Sequence, residues 1–119
     1  METKPLALII EDDPDQNLVF TTALNQAGYE TESIMNGQKA QQRLSEIVPK
    51  MIVLDLHIPN ITGQTLLRQI RSDVRLVDAS VILATADAGL ANSLQAEADL
   101  VLLKPISFDQ LSMLASRFI

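Results

Sequence analysis

Five side chains suited to charged oxygen stand at or just past the ends of short apolar runs. Asp12 and Asp13 follow Leu6–Ile10, Asp55 closes Met51–Asp55, Thr85 closes Ser80–Thr85, and Lys104 follows Leu100–Leu103. If the first and second of these runs lie side by side, three carboxylates meet, and they repel one another unless a cation is present. Mg2+ suits such a set, because it takes hard oxygen ligands, needs few carboxylates and keeps waters that phosphate oxygens can replace. A lysine, a hydroxyl and a divalent metal around a carboxylate serve phosphoryl transfer, which depends on positioning and on neutralising the equatorial oxygens. In that chemistry Asp55 is the nucleophile and becomes an aspartyl-phosphate.

The elements that must carry these residues follow from periodicity. The run at residues 51–54 is too short for a helix and suits a strand buried on both faces, as inside a parallel sheet. The runs at 6–10, 80–85 and 100–103 have the same character, and residues 29–34, alternating in polarity, read as a less buried strand. Between them lie helical patterns. Leu18, Phe20, Ala23, Leu24 and Ala27 form a stripe that starts near Pro14 and ends at Gly28. A short helix over 38–46, with Ala40, Leu44 and Ile47 facing inward, is stopped by Pro49. Leu66, Leu67 and Ile70 share a face after Gly63, with Arg68, Arg71 and Asp73 pointing outward. A weak helix over 88–97 follows, and Ser107 with Gln110 makes a capping box for a last helix carrying Phe108, Leu111 and Leu114 inward. Five strands alternating with five helices predict a doubly wound α/β fold, a parallel sheet with helices on both faces. In such sheets, ligands bind at the carboxyl ends of the strands.

Composition narrows the function. The sequence has 119 residues, 47% hydrophobic and 20% charged, with a net charge of -6. That fits one globular domain, taken as 1–119, and opposes binding to nucleic acid or anionic membrane surfaces. Aromatics make up only 3%, which disfavours stacking on a base or a flavin. There are no cysteines, so disulfides and thiolate chemistry are excluded. With no apolar run of membrane length and no signal-peptide profile, the expectation is a cytoplasmic chain.

Taken singly, each candidate has a plain structural role: adjacent acids favour a helix start, Asp55 can cap, Thr85 can turn, and Lys104 can be a solvated charge. Their joint placement argues for a site. His57, the only histidine, has no second histidine or cysteine beside it and reads as an exposed loop residue rather than a side-chain ligand.

The motifs Glu11-Asp12-Asp13, Asp55 with Pro59 and Gly63, Thr85-Ala86 and Lys104-Pro105 together resemble the receiver domain of bacterial two-component response regulators. The resemblance covers essentially the whole chain. It implies the flavodoxin-like strand order 2-1-3-4-5 and phosphorylation of Asp55 by a histidine kinase or histidine phosphotransfer protein. It implies Mg2+ held by Asp13 and Asp55 directly, by Asp12 through water and by the backbone carbonyl of His57. Lys104 would pair with the phosphoryl group, Thr85 would hydrogen-bond it, and the backbone of Ala86 would border it. A cis bond before Pro105 is also implied. Phosphorylation would switch binding to an output protein or domain, and relatives often use the face of the fourth helix, last strand and last helix for dimerisation or target binding.

This chain departs from that pattern in three places. Val101 stands where relatives commonly have an aromatic, three before the lysine. The segment from Thr85 to Lys104 is short, so the fourth helix is expected to be trimmed or displaced. His57 and Asp87, two beyond the acceptor and two beyond the threonine, are the expected tuners of dephosphorylation. Alternatives to a phosphoacceptor are a phosphorylation-independent interaction module on the same fold, a flavin carrier, and an aspartyl phosphohydrolase. A flavin carrier would need a phosphate loop absent here, and the hydrolase often has a second carboxylate where His57 stands.

Overall fold

The computed structural model describes residues 3–119. Five parallel strands form one sheet: β1 (Leu6–Ile10), β2 (Glu30–Ile34), β3 (Met51–Asp55), β4 (Ser80–Thr85) and β5 (Leu100–Leu103). Their order is β2-β1-β3-β4-β5, as the resemblance implied. The three central strands are apolar on both faces because both faces are covered. Alternate residues divide between two cores. Ala7, Ile9, Met51, Val53, Ile82 and Ala84 pack under α1 (Pro14–Ala27) and α5 (Phe108–Ser116). Leu8, Ile10, Ile52, Leu54, Val81 and Leu83 pack under α2 (Gly37–Leu44), α3 (Gly63–Ser72) and α4 (Ala88–Leu94).

Helix ends follow local chemistry. Asp13, Asn36, Thr62, Asp87 and Ser107 each accept a backbone N–H in the first turn of the helix they cap. Gly28 ends α1 at φ 110°, in the left-handed region that glycine adopts without a Cβ clash. The α1 and α5 helices are also joined at their ends: the buried Tyr29 hydroxyl donates to the Ala115 carbonyl at 2.9 Å.

Two expectations for side-chain direction are corrected. Leu18 is 67% exposed, and the buried position on that turn of α1 is Asn17. Counting back from Ala27, Leu24 and Phe20 by helical steps of three and four lands on Asn17, so the packed face is set by geometry rather than by hydrophobicity. Arg71 does not simply point outward. Its guanidinium donates to the Glu97 carbonyl (2.8 Å), the Ala79 carbonyl (3.1 Å) and Asp99 Oδ2 (3.0 Å). Asp99 Oδ2 in turn accepts from Val81 N at 2.7 Å. Arg71 therefore ties the end of α3 to the segment entering β5.

The fourth helix is short. α4 has seven residues and runs into a 3-10 turn at Gln95–Glu97. Beside it lies an open hollow of about 320 Å3, lined by Ala88, Ala91, Asn92, Gln95, Val101 and Leu103. The small Val101 side chain leaves that space on the β5 side.

Candidate functional site

Pairing β1 with β3 aligns Ile10 with Leu54, so the residues just beyond each meet at one sheet edge. Glu11 continues the strand by one residue, its N–H donating to the Ile34 carbonyl at 3.0 Å. One carboxylate oxygen from each of Glu11, Asp12 and Asp55 lies within 4.8 Å of the others. Asp12 is exposed, whereas Glu11 and Asp55 are buried.

The acidic pair is therefore Glu11 and Asp12, one residue earlier than expected. Asp13 is not in the cluster. Its carboxylate turns into the start of α1 and accepts from Asp15 N (2.9 Å) and Gln16 N (3.2 Å). The sequence held a signal for this, since an aspartate immediately before a proline at a helix start has the N-cap signature. Glu11 is the member of the acidic cluster that the sequence reading left out.

Lys104 crosses from β5 to this cluster. Its Nζ lies 2.7 Å from Glu11 Oε1 and 3.3 Å from Asp55 Oδ2. Burial alone would lower the Lys104 pKa, but the hydrogen bond to Glu11 and the nearby Asp55 charge outweigh it, and the pKa is raised. Glu11 responds in the opposite sense to an ordinary ion pair. Burial, followed by contact with Asp55, raises its pKa to about 7 despite Lys104 and the Asp13 N–H. One lysine thus leaves the carboxylates short of positive charge.

That shortage is the observation on which a metal can be tested. Three hard oxygen donors converge, one is exposed to solvent, and a buried one is driven towards its protonated form. The donor set fits Mg2+.

The other expected residues surround Asp55. His57 is exposed and its backbone N–H donates to Asp55 Oδ1 at 3.0 Å. Thr85 is fully buried at the end of β4, and its Oγ1 accepts from Asp87 N at 3.0 Å. Asp87 Oδ1 accepts from Leu90 N at 3.0 Å, so its carboxylate is used as the α4 cap rather than left free. Ala86 is exposed beside Lys104 and Pro105, in a cleft of about 450 Å3 that also includes Gln16, Val19 and Phe20. The Lys104–Pro105 bond is cis, as expected. Gly63 packs so closely beneath the loop that a Cβ there would lie 2.5 Å from Leu56 Cα and 2.7 Å from the Asp55 carbonyl oxygen. The start of α3 can thus support the Asp55 turn only without a side chain.

A carboxylate at the end of β3, an acidic pair after β1, a hydroxyl after β4 and a lysine after β5 also mark a known family. The model of the response regulator receiver domain matches residues 7–115. The chain belongs to the response regulator receiver family. Receiver domains act in two-component signalling, generally bind Mg2+ and work with histidine kinases or phosphotransfer proteins and with output domains. Among curated proteins, this receiver is 35% identical over 114 residues to the DNA-binding dual master transcriptional regulator RpaA of Synechocystis sp., a match covering 93% of this chain and 46% of that protein. It spans less than half the length of the first curated relatives it matches. In structure it resembles the chemotaxis response regulator CheY4 of Vibrio cholerae, with TM-score 0.88 and 21% identity over 98% of this chain and all of that one. It also resembles the signal receiver domain of a signal transduction histidine kinase from Syntrophus aciditrophicus, with TM-score 0.84 and 32% identity over 96% of this chain and 89% of that one. Among the described residues, no helix of this receiver is long and apolar enough to cross a membrane.

Proposed function

We propose that this receiver accepts a phosphoryl group on Asp55 from a phosphohistidine of a kinase or phosphotransfer protein, and that the modification switches its binding to an output partner. The observation that carries the reading is Asp55 itself, buried at the sheet edge with Lys104 Nζ 3.3 Å from Oδ2. The transfer breaks the donor's P–N bond as an Asp55 oxygen bonds to phosphorus, and the donor imidazole leaves with the bonding electron pair. Glu11, Asp12, Asp55 and the His57 carbonyl would hold Mg2+, which supplies charge neutralisation for phosphoryl oxygens. Lys104 contributes a second positive charge, while Thr85 Oγ1 is free to donate its proton because its present bond uses it as an acceptor. The backbone N–H groups of His57 and Ala86 are the remaining donors proposed for the phosphoryl oxygens. The apolar cleft containing Val19, Phe20 and Ile106 opens beside Lys104, where a donor side chain must approach.

Incubation of the chain with acetyl phosphate and Mg2+ is expected to add one phosphoryl group, traced by borohydride reduction and peptide mapping to Asp55. No gain, or a gain mapped elsewhere, would favour the phosphorylation-independent module. We further assign the lifetime of the phosphorylated state to His57 and Asp87. His57 is exposed next to the acceptor, and Asp87 acts from the loop that Thr85 holds. Decay of the phosphoprotein should change by about 1 kcal/mol of barrier, roughly fivefold, in His57→Asn or Asp87→Asn. Unchanged decay in both variants removes the assignment.

A further inference from the structure

Four polar or charged side chains are buried among the described residues: Glu11, Asn17, Asp55 and Thr85. Three belong to the site above. The fourth, Asn17 on α1, is bonded to the backbone of the first. Its Nδ2 donates to the Glu11 carbonyl at 2.9 Å and lies 3.4 Å from the Ile34 carbonyl. Its Oδ1 accepts from Thr21 Oγ1 at 3.1 Å and from Ser33 Oγ. An amide has two donor hydrogens and two acceptor lone pairs, and all four are used here. Because carbonyls can only accept, the nitrogen must face Glu11, which fixes the side chain's orientation.

We infer that Asn17 is a positioning residue for the divalent-cation site. Glu11 is held at both ends, its N–H on Ile34 and its carbonyl on Asn17. The Glu11 carbonyl lies in the planar peptide unit that leads to the Asp12 Cα. Holding that plane sets where both the Glu11 and Asp12 side chains begin, and these supply two of the three clustered carboxylates. β2, an edge strand with no candidate residue of its own, thereby gains a part in the site through Ser33 and Ile34. Without Asn17 the acidic turn would keep its residues but sample more than one plane, so the carboxylates would have to be reorganised on binding.

The inference rests on the proposed Mg2+ site, and its test separates the two. Mg2+ titrations of the labelled full chain, followed by backbone amide shifts, are expected to give a dissociation constant about tenfold higher in Asn17→Leu, the scale seen when a group supporting a metal ligand is removed. At saturating Mg2+, phosphorylation by acetyl phosphate should return close to the wild-type rate, because Asn17 touches no reacting atom. Tyr29→Phe, which removes the buried bond to Ala115, serves as a control that lowers stability without touching the acidic turn. The Thr21→Val, Ser33→Ala double variant loosens the same amide from outside the core and should shift the constant in the same direction, so the test survives if Asn17→Leu does not fold. A constant unchanged in the folded variants, with only thermal stability lowered, would overturn the inference while leaving the Mg2+ site intact. A wild-type chain that takes up no Mg2+ would overturn both.

Discussion

Asp55→Asn is expected to take up no phosphoryl group from acetyl phosphate under conditions that load the wild-type chain. An amide oxygen is a far poorer nucleophile than a carboxylate, and no other candidate acceptor in the cluster shares the contacts of Asp55. Oδ1 of Asp55 is oriented by the His57 N–H and Oδ2 faces Lys104. In the variant, an amide that keeps its oxygen on His57 turns its NH2 towards the Lys104 ammonium, a donor against a donor. Lys104 should then lean more strongly on Glu11. A second effect follows, because Asp55 is one of the groups raising the Glu11 pKa. Removing its charge should let Glu11 ionise more readily, visible as a lower titration midpoint by carboxyl carbon NMR. Intact-mass measurement checks the main result, and a full phosphoryl gain in Asp55→Asn would sink the phosphoacceptor assignment.

The metal-free chain should lose stability as pH rises through neutrality, and Glu11→Gln should remove most of that loss. The Glu11 pKa stands near 4.5 when unfolded and about 7 when folded, raised first by burial and then by Asp55. Between those values the folded state binds more protons than the unfolded state, so stability falls with increasing pH. The contribution is fully present below about 4.5 and is lost progressively as pH rises through about 7. The shift corresponds to at most about 3 kcal/mol, several degrees in melting temperature for a domain of this size. Glutamine carries no charge to desolvate, although Lys104 loses one ionic partner. Melting curves from pH 5 to 9 without metal test this, and an equal slope in wild type and Glu11→Gln would refute it. Added Mg2+ should flatten or reverse the wild-type slope, because a cation favours the ionised carboxylate.

The fold was legible because its information is periodic. Buried central strands have to be apolar on both faces, and the runs at 6–10, 51–54 and 80–84 announce this directly. The placement of Asp55, Thr85 and Lys104 at strand ends was equally readable, since each interrupts an apolar run at its carboxyl end. The order of the strands came from resemblance, as no pattern within a single strand names its neighbours. The acidic turn was harder. In Glu11-Asp12-Asp13 all three residues can serve, and the choice depends on where pairing with β2 stops and where α1 takes its cap. The structure extends pairing to Glu11 and assigns Asp13 to the cap. Asn17 was hidden for a different reason. A buried polar residue looks like a surface residue until its four partners are known, and those come from three separate segments. The role of Arg71 was hidden similarly, because its targets lie on both sides of β4, Ala79 before it and Glu97 and Asp99 after it.

The hydrogen bonds of α4 give the short helix two unlike supports. Its first turn hangs from Thr85 through Asp87, a chain of two hydrogen bonds that begins at the buried Thr85 hydroxyl. Its far end meets a turn riveted to α3 by Arg71. A beam pinned at one end and suspended at the other pivots more readily than it slides. The hollow of about 320 Å3 beside Val101 adjoins the same helix, so its β5 side is open rather than packed.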